Sequence, residues 1–287
     1  MPTLDSPWRV PFDGSFRISE APSHPKLILD KREAKHRLAK SVETIATLQE
    51  ALYAENRQAL LVVFQAMDAA GKDGTIRRLL TGVNPVGCQV FSFKRPSARE
   101  LDHDFLWRHV KALPERGRIG IHNRSWYEEV LVVRVNPGIL TGGQRLPAHL
   151  TGPEVWDGRM RSIREFEAHL TRNGTTVVKF FLNVSREEQA RRLLARIDEH
   201  DRRWKFDEGD LDARDMWPAY MQAYEQSLNA TSRQEAPWYA VPADDKWTMR
   251  VLVAEVVAEH LKRMNPQVPS PEDTDWEAAR ARLNSGS

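Results

Sequence analysis

The sequence predicts an α/β protein built on a parallel sheet with helices on both faces. Short apolar segments of strand length alternate along the chain with longer segments whose apolar residues recur every three or four positions. The first of these strands runs directly into a loop of small residues and a Lys, which is typical of a phosphate-binding turn between a strand and a helix. In such sheets ligands bind where the carboxyl ends of the strands meet, so we expect the functional residues there.

The amino-terminal half supplies three strands with their helices. Residues 1–29 are rich in Pro and Ser, which predicts an extended arm. Asp30 can cap a helix whose apolar residues are spaced by three and four, namely Leu38, Val42, Ile45, Leu48 and Leu52. Short apolar runs that end in turn residues predict strands at 60–65, 88–93 and 118–122. A helix ending near Gly82 and another around 101–110 connect these strands.

In the carboxyl-terminal half, a Gly- and Pro-rich connection precedes a helix at about 157–172, which Gly174 ends. Residues 175–183 are the most β-rich segment of the chain and predict a strand. Ser185 and Glu188 have the spacing of a capping box that opens the next helix. The remaining predicted elements are a helix at about 213–231, a strand at 238–241 and a helix at about 246–263.

Composition limits the possible classes of function. The 287 residues suffice for one large domain with terminal extensions, and 42 basic residues nearly balance 40 acidic ones. The single cysteine, Cys88, excludes an intramolecular disulfide and is predicted to be a small apolar residue of a strand. There is no apolar run of the roughly 20 residues that span a bilayer and no signal-peptide pattern, so we expect a cytoplasmic protein without membrane association.

The loop after the first strand is the candidate phosphate site. The pattern G-x-x-x-x-G-K-[ST] is matched in part, with Ala66 at the first Gly position and Asp73 at the Ser/Thr position. Backbone N–H groups and the start of a helix would surround phosphate oxygens, and Lys72 would add a positive charge. The predicted phosphate contacts of this loop are Ala70, Gly71, Lys72, Asp73 and Gly74. The alternative is a chance Ala-Gly-Lys turn without a ligand.

Other charged side chains follow the next two strands. Lys94 and Arg95 come after the second strand, and Asn123 and Arg124 after the third, so we expect them to share one phosphate site. Phosphoryl transfer also requires a divalent metal held by one or two carboxylates. Asp68 is the leading candidate for this role. Asn123 stands where many phosphate-loop proteins carry an acid, and it is a further candidate metal ligand, since its amide oxygen could face a hydrated Mg²⁺ although it brings no charge.

Glu128 is a second candidate metal ligand, with a solvated position on a helix as the equally weighted alternative. A third cluster contains Arg191, Arg192 and Arg196, of which the last two share one face of a helix. This cluster runs into the charged segment 201–212, as a closing lid would. Lid arginines can stabilise charge on a transferring phosphoryl group, whereas the alternative is a solvated basic helix face.

Several of these segments together resemble one known family. They are MDAAGKDG at 67–74, SFKRPS at 92–97, GRIGIHNRSWYE at 117–128, RWKF at 203–206, WPAY at 217–220 and APWYAVPADDK at 236–246. In this order they are similar to the motifs of the polyphosphate kinase 2 family over about residues 30–263. The Asn at position 123 and the run EVLVVRV resemble the class III subgroup of that family.

The resemblance implies phosphoryl transfer from inorganic polyphosphate to ADP and AMP, giving ATP and ADP, on a thymidylate-kinase-like P-loop kinase fold with a helical lid. It implies Mg²⁺ as cofactor, with Mn²⁺ as a substitute, and a homo-oligomer (dimer or tetramer). Carried over to this sequence, Asp68 would orient the acceptor phosphate and the metal. The implied phosphate contacts are Lys72, Lys94, Arg124 and Arg134, and the implied lid residues are Arg192, Arg196 and Lys205.

On this reading the chain divides into an arm at 1–29, a phosphotransferase domain at 30–264 with its lid at about 198–215, and a polar tail at 265–287. Two other functions remain open from the sequence alone. An ATP-dependent nucleoside-monophosphate or small-molecule kinase would use the same loop. A nucleic-acid-binding module would explain the Arg clusters, although the near-balanced charge argues against it and no nucleic acid is expected as a partner.

Overall fold

Five strands form one parallel sheet in the structure, a computed structural model that describes residues 5–25, 28–269, 271 and 274–285. The strands are β1 (Ala59–Gln65), β2 (Cys88–Ser92), β3 (Ile119–Asn123), β4 (Thr175–Asn183) and β5 (Trp238–Pro242). Their order is β2-β3-β1-β4-β5, and each neighbouring pair is parallel. All seven residues of the central β1 are buried. The predicted α/β class with a parallel sheet is confirmed.

The helices of the described residues are α1 (Lys31–Glu55), α2 (Lys72–Leu79), α3 (Ala98–Leu101), α4 (Trp107–Val110), α5 (Val132–Val135), α6 (Val155–Arg172), α7 (Arg186–Asp198), α8 (Gly209–Asp215), α9 (Trp217–Thr231), α10 (Lys246–Met264) and α11 (Trp276–Ser285). None of them is both long and apolar enough to cross a membrane, within the residues described.

Helices cover both faces of the sheet, as the alternation of strand side chains shows. On β5, the Trp238 indole donates to Thr231 of α9, whereas the hydroxyl of the next residue, Tyr239, bonds to His260 of α10. Helices α9 and α10 therefore lie on opposite faces. The ring of Phe180 stacks on Phe64 at 5.3 Å and extends the apolar core across β1 and β4.

Two predicted helices are each divided in the structure. The helix expected around 101–110 is the short pair α3 and α4, because the Asp104 carboxylate accepts from the N–H of Leu106 and makes a local turn. The helix expected at 213–231 is split between α8 and α9 at Met216. Pro218 lies in the first turn of α9, a position where its missing N–H leaves no helical bond unmade.

The capping box predicted before α7 forms only in part. The Ser185 hydroxyl accepts from the N–H of Glu188, as expected, but the N–H of Ser185 donates to the Asp244 carboxylate at 2.8 Å. Glu188 is instead engaged by Arg191 and Arg192. The start of α7 is thereby attached to the loop after β5.

The amino-terminal segment packs against the domain, whereas the carboxyl-terminal helix has no buried residue. Val10 is fully buried, and its N–H donates to the carbonyl of Trp238, so the amino-terminal arm covers the outer edge of β5. Beyond Pro266, where the sequence predicts a polar tail, the structure has helix α11 with no buried residue.

Candidate active site

The loop between β1 and α2 forms an anion-binding turn. Gly71 has a φ of +112°, a conformation that L side chains rarely adopt, and a Cβ there would lie 3.2 Å from Met249 Cε. Ala69 also has a positive φ, 62°. No side chain of the described residues caps α2, so the N–H groups of its first turn are available to an anion together with the positive end of the helix dipole.

The side chain of Lys72 folds back over this loop. Its Nζ lies 2.8 Å from the carbonyl oxygen of Ala66 and 3.4 Å from that of Met67. Burial lowers the pKa of Lys72, and so does the positive charge of Arg124, while the carboxylate of Asp68 opposes the change. The loop therefore holds a desolvated cation at the mouth of α2.

Arg124 connects this loop to the end of β3. Its Nη2 lies 2.5 Å from Asp68 Oδ1, and its Nη1 lies 3.1 Å from Glu128 Oε2. Burial pushes the pKa of Asp68 up, but the charges of Lys72, Arg124 and Arg196 outweigh it and leave that pKa below its usual value. The structure thus brings together five residues singled out in the sequence, with Asp68 kept ionised between cations.

A sixth group in this cluster is Asp210 of α8, which no motif of the sequence singles out. Its carboxyl group interacts electrostatically with that of Asp68, and Arg196 Nη1 lies 2.9 Å from its Oδ2. Burial and the charge of Asp68 raise the pKa of Asp210 to about 6. The sequence shows that the segment 201–212 is charged, but its weak periodicity does not indicate which of its acids faces the phosphate loop.

Asn123 lies at the end of β3 but points toward α2 and β2. Its Nδ2 donates to Asp73 Oδ1 at 2.8 Å and to Ser92 Oγ at 3.3 Å. Its Oδ1 is buried and has no hydrogen-bond partner among the described residues. The Asn123 amide therefore holds the residue that stands at the Ser/Thr position of the loop motif.

Arg192 occupies a different place from the one expected of a lid arginine. It is 5% exposed, and its guanidinium lies beneath the phosphate loop. Its Nη1 donates to the carbonyls of Ala69 and Ala70 and its Nη2 to those of Ala243 and Asp244. Its Nε donates to the Glu188 carboxylate at 2.6 Å. All five N–H donors are used within the protein, so the expectation of a phosphate-facing Arg192 is corrected.

The other predicted phosphate and lid residues lie outside this cluster. Lys94 is exposed in the loop after β2, where its carbonyl accepts from Arg108. Arg134 of α5 lies 5.8 Å from the centre of the Trp156 ring. Lys205 is exposed beside Trp204, and its carbonyl accepts from Arg196.

A strand–loop–helix turn, with Lys72, Arg124 and Asp68 at the carboxyl ends of β1 and β3, defines a P-loop phosphotransferase. Comparison with known proteins gives the family. The family model described as Polyphosphate kinase 2 (PPK2) matches residues 28–269. The chain belongs to the polyphosphate kinase 2 family and is a phosphotransferase.

Relatives match over nearly the whole chain. The ADP-polyphosphate phosphotransferase of Rhodopseudomonas palustris is 54% identical, over 88% of this chain and 91% of its own. The AMP/ADP-polyphosphate phosphotransferase of Meiothermus ruber is 43% identical, over 92% of this chain and 96% of its own. The crystal structure of Polyphosphate Kinase 2 from Arthrobacter aurescens superimposes with a TM-score of 0.87 at 35% identity and covers 99% of both chains. This likeness confirms the P-loop kinase-like fold.

Proposed function

We propose that this protein transfers the terminal phosphate of inorganic polyphosphate to ADP and AMP, giving ATP and ADP. The observation that carries the proposal is the cluster of Lys72, Arg124 and Arg196 around Asp68, beside the uncapped start of α2. Three cations and free backbone donors suit a highly charged phosphate chain, while the central carboxylate suits a metal-bound acceptor phosphate.

The reaction requires no nucleophile from the protein. A terminal phosphate oxygen of the acceptor attacks the terminal phosphorus of polyphosphate, the P–O bond to the next phosphate breaks, and the donor leaves one phosphate shorter. Catalysis of such a transfer consists of in-line positioning and neutralisation of charge. Lys72 and Arg124 are the groups whose charges would stabilise the oxygens of the transferred phosphoryl group.

Mg²⁺ fits the acidic side of the cluster. The negative charge of Asp68 contributes to the raised pKa of Asp210, and a divalent cation between the two carboxylates would relieve this repulsion. No group of three or more His, Cys, Asp or Glu in the described residues could hold a metal. Phosphate oxygens and water would therefore complete the coordination, as is usual for Mg²⁺.

The segment at about 198–215 is proposed to close over the acceptor as a lid. Asp210 and Arg196 are paired at 2.9 Å and reach Asp68 from α8 and α7. Closing would bring the Arg196 charge to the reacting phosphate and exclude water. We assign Lys94, Arg134 and Lys205 to the path of the polyphosphate chain beyond the reacting phosphate, because they lie outside the central cluster.

The testing experiment measures product formation with long-chain polyphosphate and Mg²⁺, using ADP and AMP as separate acceptors. We expect ATP from ADP and ADP from AMP. The name of the R. palustris relative mentions ADP alone, whereas that of the M. ruber relative mentions both acceptors. Reaction of ADP with no reaction of AMP would restrict the proposal to diphosphates. No product from either acceptor, with Mg²⁺ or Mn²⁺ present, would refute it.

A second donor must be tested beside polyphosphate. An ATP-dependent nucleoside-monophosphate kinase would phosphorylate AMP with ATP and without polyphosphate, so this reaction serves as the comparison. We expect polyphosphate to be the required donor. We also propose a homo-oligomer, for which light scattering after size-exclusion chromatography gives the mass.

A further inference from the structure

A buried ion pair below the sheet holds the turn that follows Arg124. Lys179 Nζ of β4 lies 2.5 Å from Glu167 Oε2 of α6, and their side chains are 0% and 2% exposed. The other oxygen of Glu167 accepts from the Trp126 indole at 3.2 Å and from the Tyr127 hydroxyl at 2.8 Å. Both of these side chains belong to the 3-10 turn Trp126–Glu129, in which every residue but Glu128 is buried.

The network satisfies its polar groups completely. Besides Glu167, Lys179 Nζ contacts the Tyr127 hydroxyl at 3.0 Å and the Thr231 carbonyl at 2.9 Å. Burial raises the pKa of Glu167 and lowers that of Lys179, while each partner's charge opposes the shift. A buried ion pair of this kind adds little stability over apolar side chains of the same volume. Its effect is to fix the orientation of the groups bonded to it.

Helix α6 also bonds to Glu129, the last residue of the same turn. Arg159 Nη1 lies 2.7 Å from the Glu129 carboxylate and 3.1 Å from the Glu129 carbonyl, and Gln144 Nε2 lies 2.6 Å from that carboxylate. Arg159 and Glu167 thus attach both ends of the turn Trp126–Glu129 to one helix.

The turn needs this support because Arg124 is strained. Its φ is +65°, which costs a non-Gly residue on the order of 1 kcal/mol and persists only where the surroundings enforce it. The two carboxylates bonded to its guanidinium come from different segments, Asp68 from the phosphate loop and Glu128 from the turn itself. A small rotation of the turn would move Arg124 and Glu128 relative to the phosphate loop.

We infer that Glu167 is a positioning residue for phosphoryl transfer: as the acceptor for Trp126 and Tyr127, it sets the orientation of the turn and so of Arg124 at the reacting phosphate. The inference rests on the proposed function for its kinetic readout. Glu167 acts through the turn, since its carboxylate is buried and bonds to Trp126, Tyr127 and Lys179.

Two double variants of the full chain distinguish the effect of the hydrogen-bond acceptor at position 167 from the effect of the Glu167–Lys179 ion pair. Glu167→Leu with Lys179→Met removes the ion pair and the acceptor oxygen, whereas Glu167→Gln with Lys179→Met removes the ion pair but keeps an acceptor for Trp126 and Tyr127. We expect kcat for ATP formation to fall about tenfold in the Leu/Met protein, because misplacement of a positioned group slows transfer. The KM for ADP should change less than threefold, and the Gln/Met protein should keep at least half of kcat.

Hydrogen exchange of the amides of residues 124–130 gives a readout that needs no activity. We expect faster exchange in the Leu/Met protein and wild-type exchange in the Gln/Met protein. An inactive wild-type protein would refute the proposed function, but hydrogen exchange would still test whether Glu167 orders the turn. Equal kcat and equal exchange in the two folded double variants would overturn the positioning role.

A milder pair of variants decides the question if the Leu/Met protein does not fold. Tyr127→Phe removes the hydroxyl that hydrogen-bonds with both Glu167 and Lys179. Tyr239→Phe removes another buried hydroxyl, bonded to His260 at 2.8 Å and outside the turn, and is its matched control. We expect at least a threefold lower kcat for Tyr127→Phe alone, and equal kcat in the two variants would overturn the inference.

Discussion

Arg192 Nη1 lies 2.7 Å from the carbonyl oxygen of Ala70, so helix α7 is attached to the phosphate loop. Gln189, one turn earlier on α7, donates to the carbonyl of Asp68 at 3.1 Å. These bonds hold a loop in which Ala69 and Gly71 have positive φ values. A displacement of α7 would therefore change the shape of the phosphate loop.

Arg192→Lys should destabilise the protein. A Lys has three donors on one nitrogen and cannot reach Glu188 and four carbonyls at once. Some buried acceptors would therefore lose their hydrogen bonds, and each loss costs about 1–3 kcal/mol of folding free energy. We expect a Tm lower by several degrees, measured by thermal unfolding. The matched control is Arg191→Lys, since Arg191 is the exposed neighbour that also pairs with Glu188. A Tm for Arg192→Lys within a degree of the control would contradict the role beneath the loop.

Arg196→Lys should lower kcat rather than Tm. Arg196 pairs with Asp210, and its charge lowers the pKa of Asp68, so the proposed closure of the lid would place it at the reacting centre. A single ammonium cannot reproduce the planar guanidinium on a phosphoryl group, so we expect about a tenfold loss of kcat with a smaller change in nucleotide KM. Steady-state kinetics with ADP and polyphosphate measure both values. Wild-type turnover of Arg196→Lys would contradict this role and show that Arg196 acts as a surface charge.

Lys72→Ala and Asp68→Asn should each reduce turnover by at least about a hundredfold, because each removes a charge facing the reacting phosphate. The fold should remain intact, as checked by circular dichroism and Tm. Lys262→Ala removes an exposed charge on α10 and is the control for Lys72→Ala. Turnover of Asp68→Asn within threefold of wild type, at unchanged Tm, would exclude Asp68 from the metal and acceptor site.

Gly71→Ala should impair both stability and activity. The Cβ would meet Met249 at 3.2 Å and would force an L residue to a φ of +112°. We expect destabilisation of at least about 1 kcal/mol together with a raised polyphosphate KM. Gly158→Ala is the matched control, because Gly158 is an exposed position of helix α6 with open space around its Cβ. That change should raise the Tm slightly, since Ala favours helices over Gly.

The buried histidines should make the protein less stable in mild acid. Burial lowers the pKa of His109 to about 2 and that of His122 to about 4, whereas an unfolded His titrates near 6.5. Between pH 6.5 and about 4 the unfolded chain therefore binds protons that the folded chain does not. Stability falls over this window, by about 2 kcal/mol per group at pH 5.

The variant His109→Phe tests this pH dependence. The His109 ring packs on Phe93 at 4.2 Å, and its Nδ1 has no hydrogen-bond partner among the described residues, so a phenyl ring suits the site. We expect a smaller loss of Tm between pH 7 and pH 5 than in the wild type. His149→Gln, at an exposed position, should keep the wild-type slope. Parallel slopes for wild type and His109→Phe would contradict the prediction.

The main elements of the fold follow from local patterns in the sequence. The strand predicted at 175–183 has those limits in the structure, and the strand predicted at 60–65 begins one residue earlier, at Ala59. Asp68, Lys72 and Arg124 also meet as expected, because the carboxyl ends of neighbouring parallel strands converge. These predictions depend on short-range periodicity and on one general rule of sheet topology.

The sequence by itself therefore determined the sheet, the phosphate loop and the cations at the strand ends. Only the tertiary structure decided that Asp210 faces Asp68, that Arg192 lies under the loop and that Lys179 is paired below the sheet. The physical reason is that a charged side chain carries no local signal of its partner. Whether it is solvated or buried depends on which groups from distant elements satisfy its hydrogen bonds, and packing alone brings those groups together.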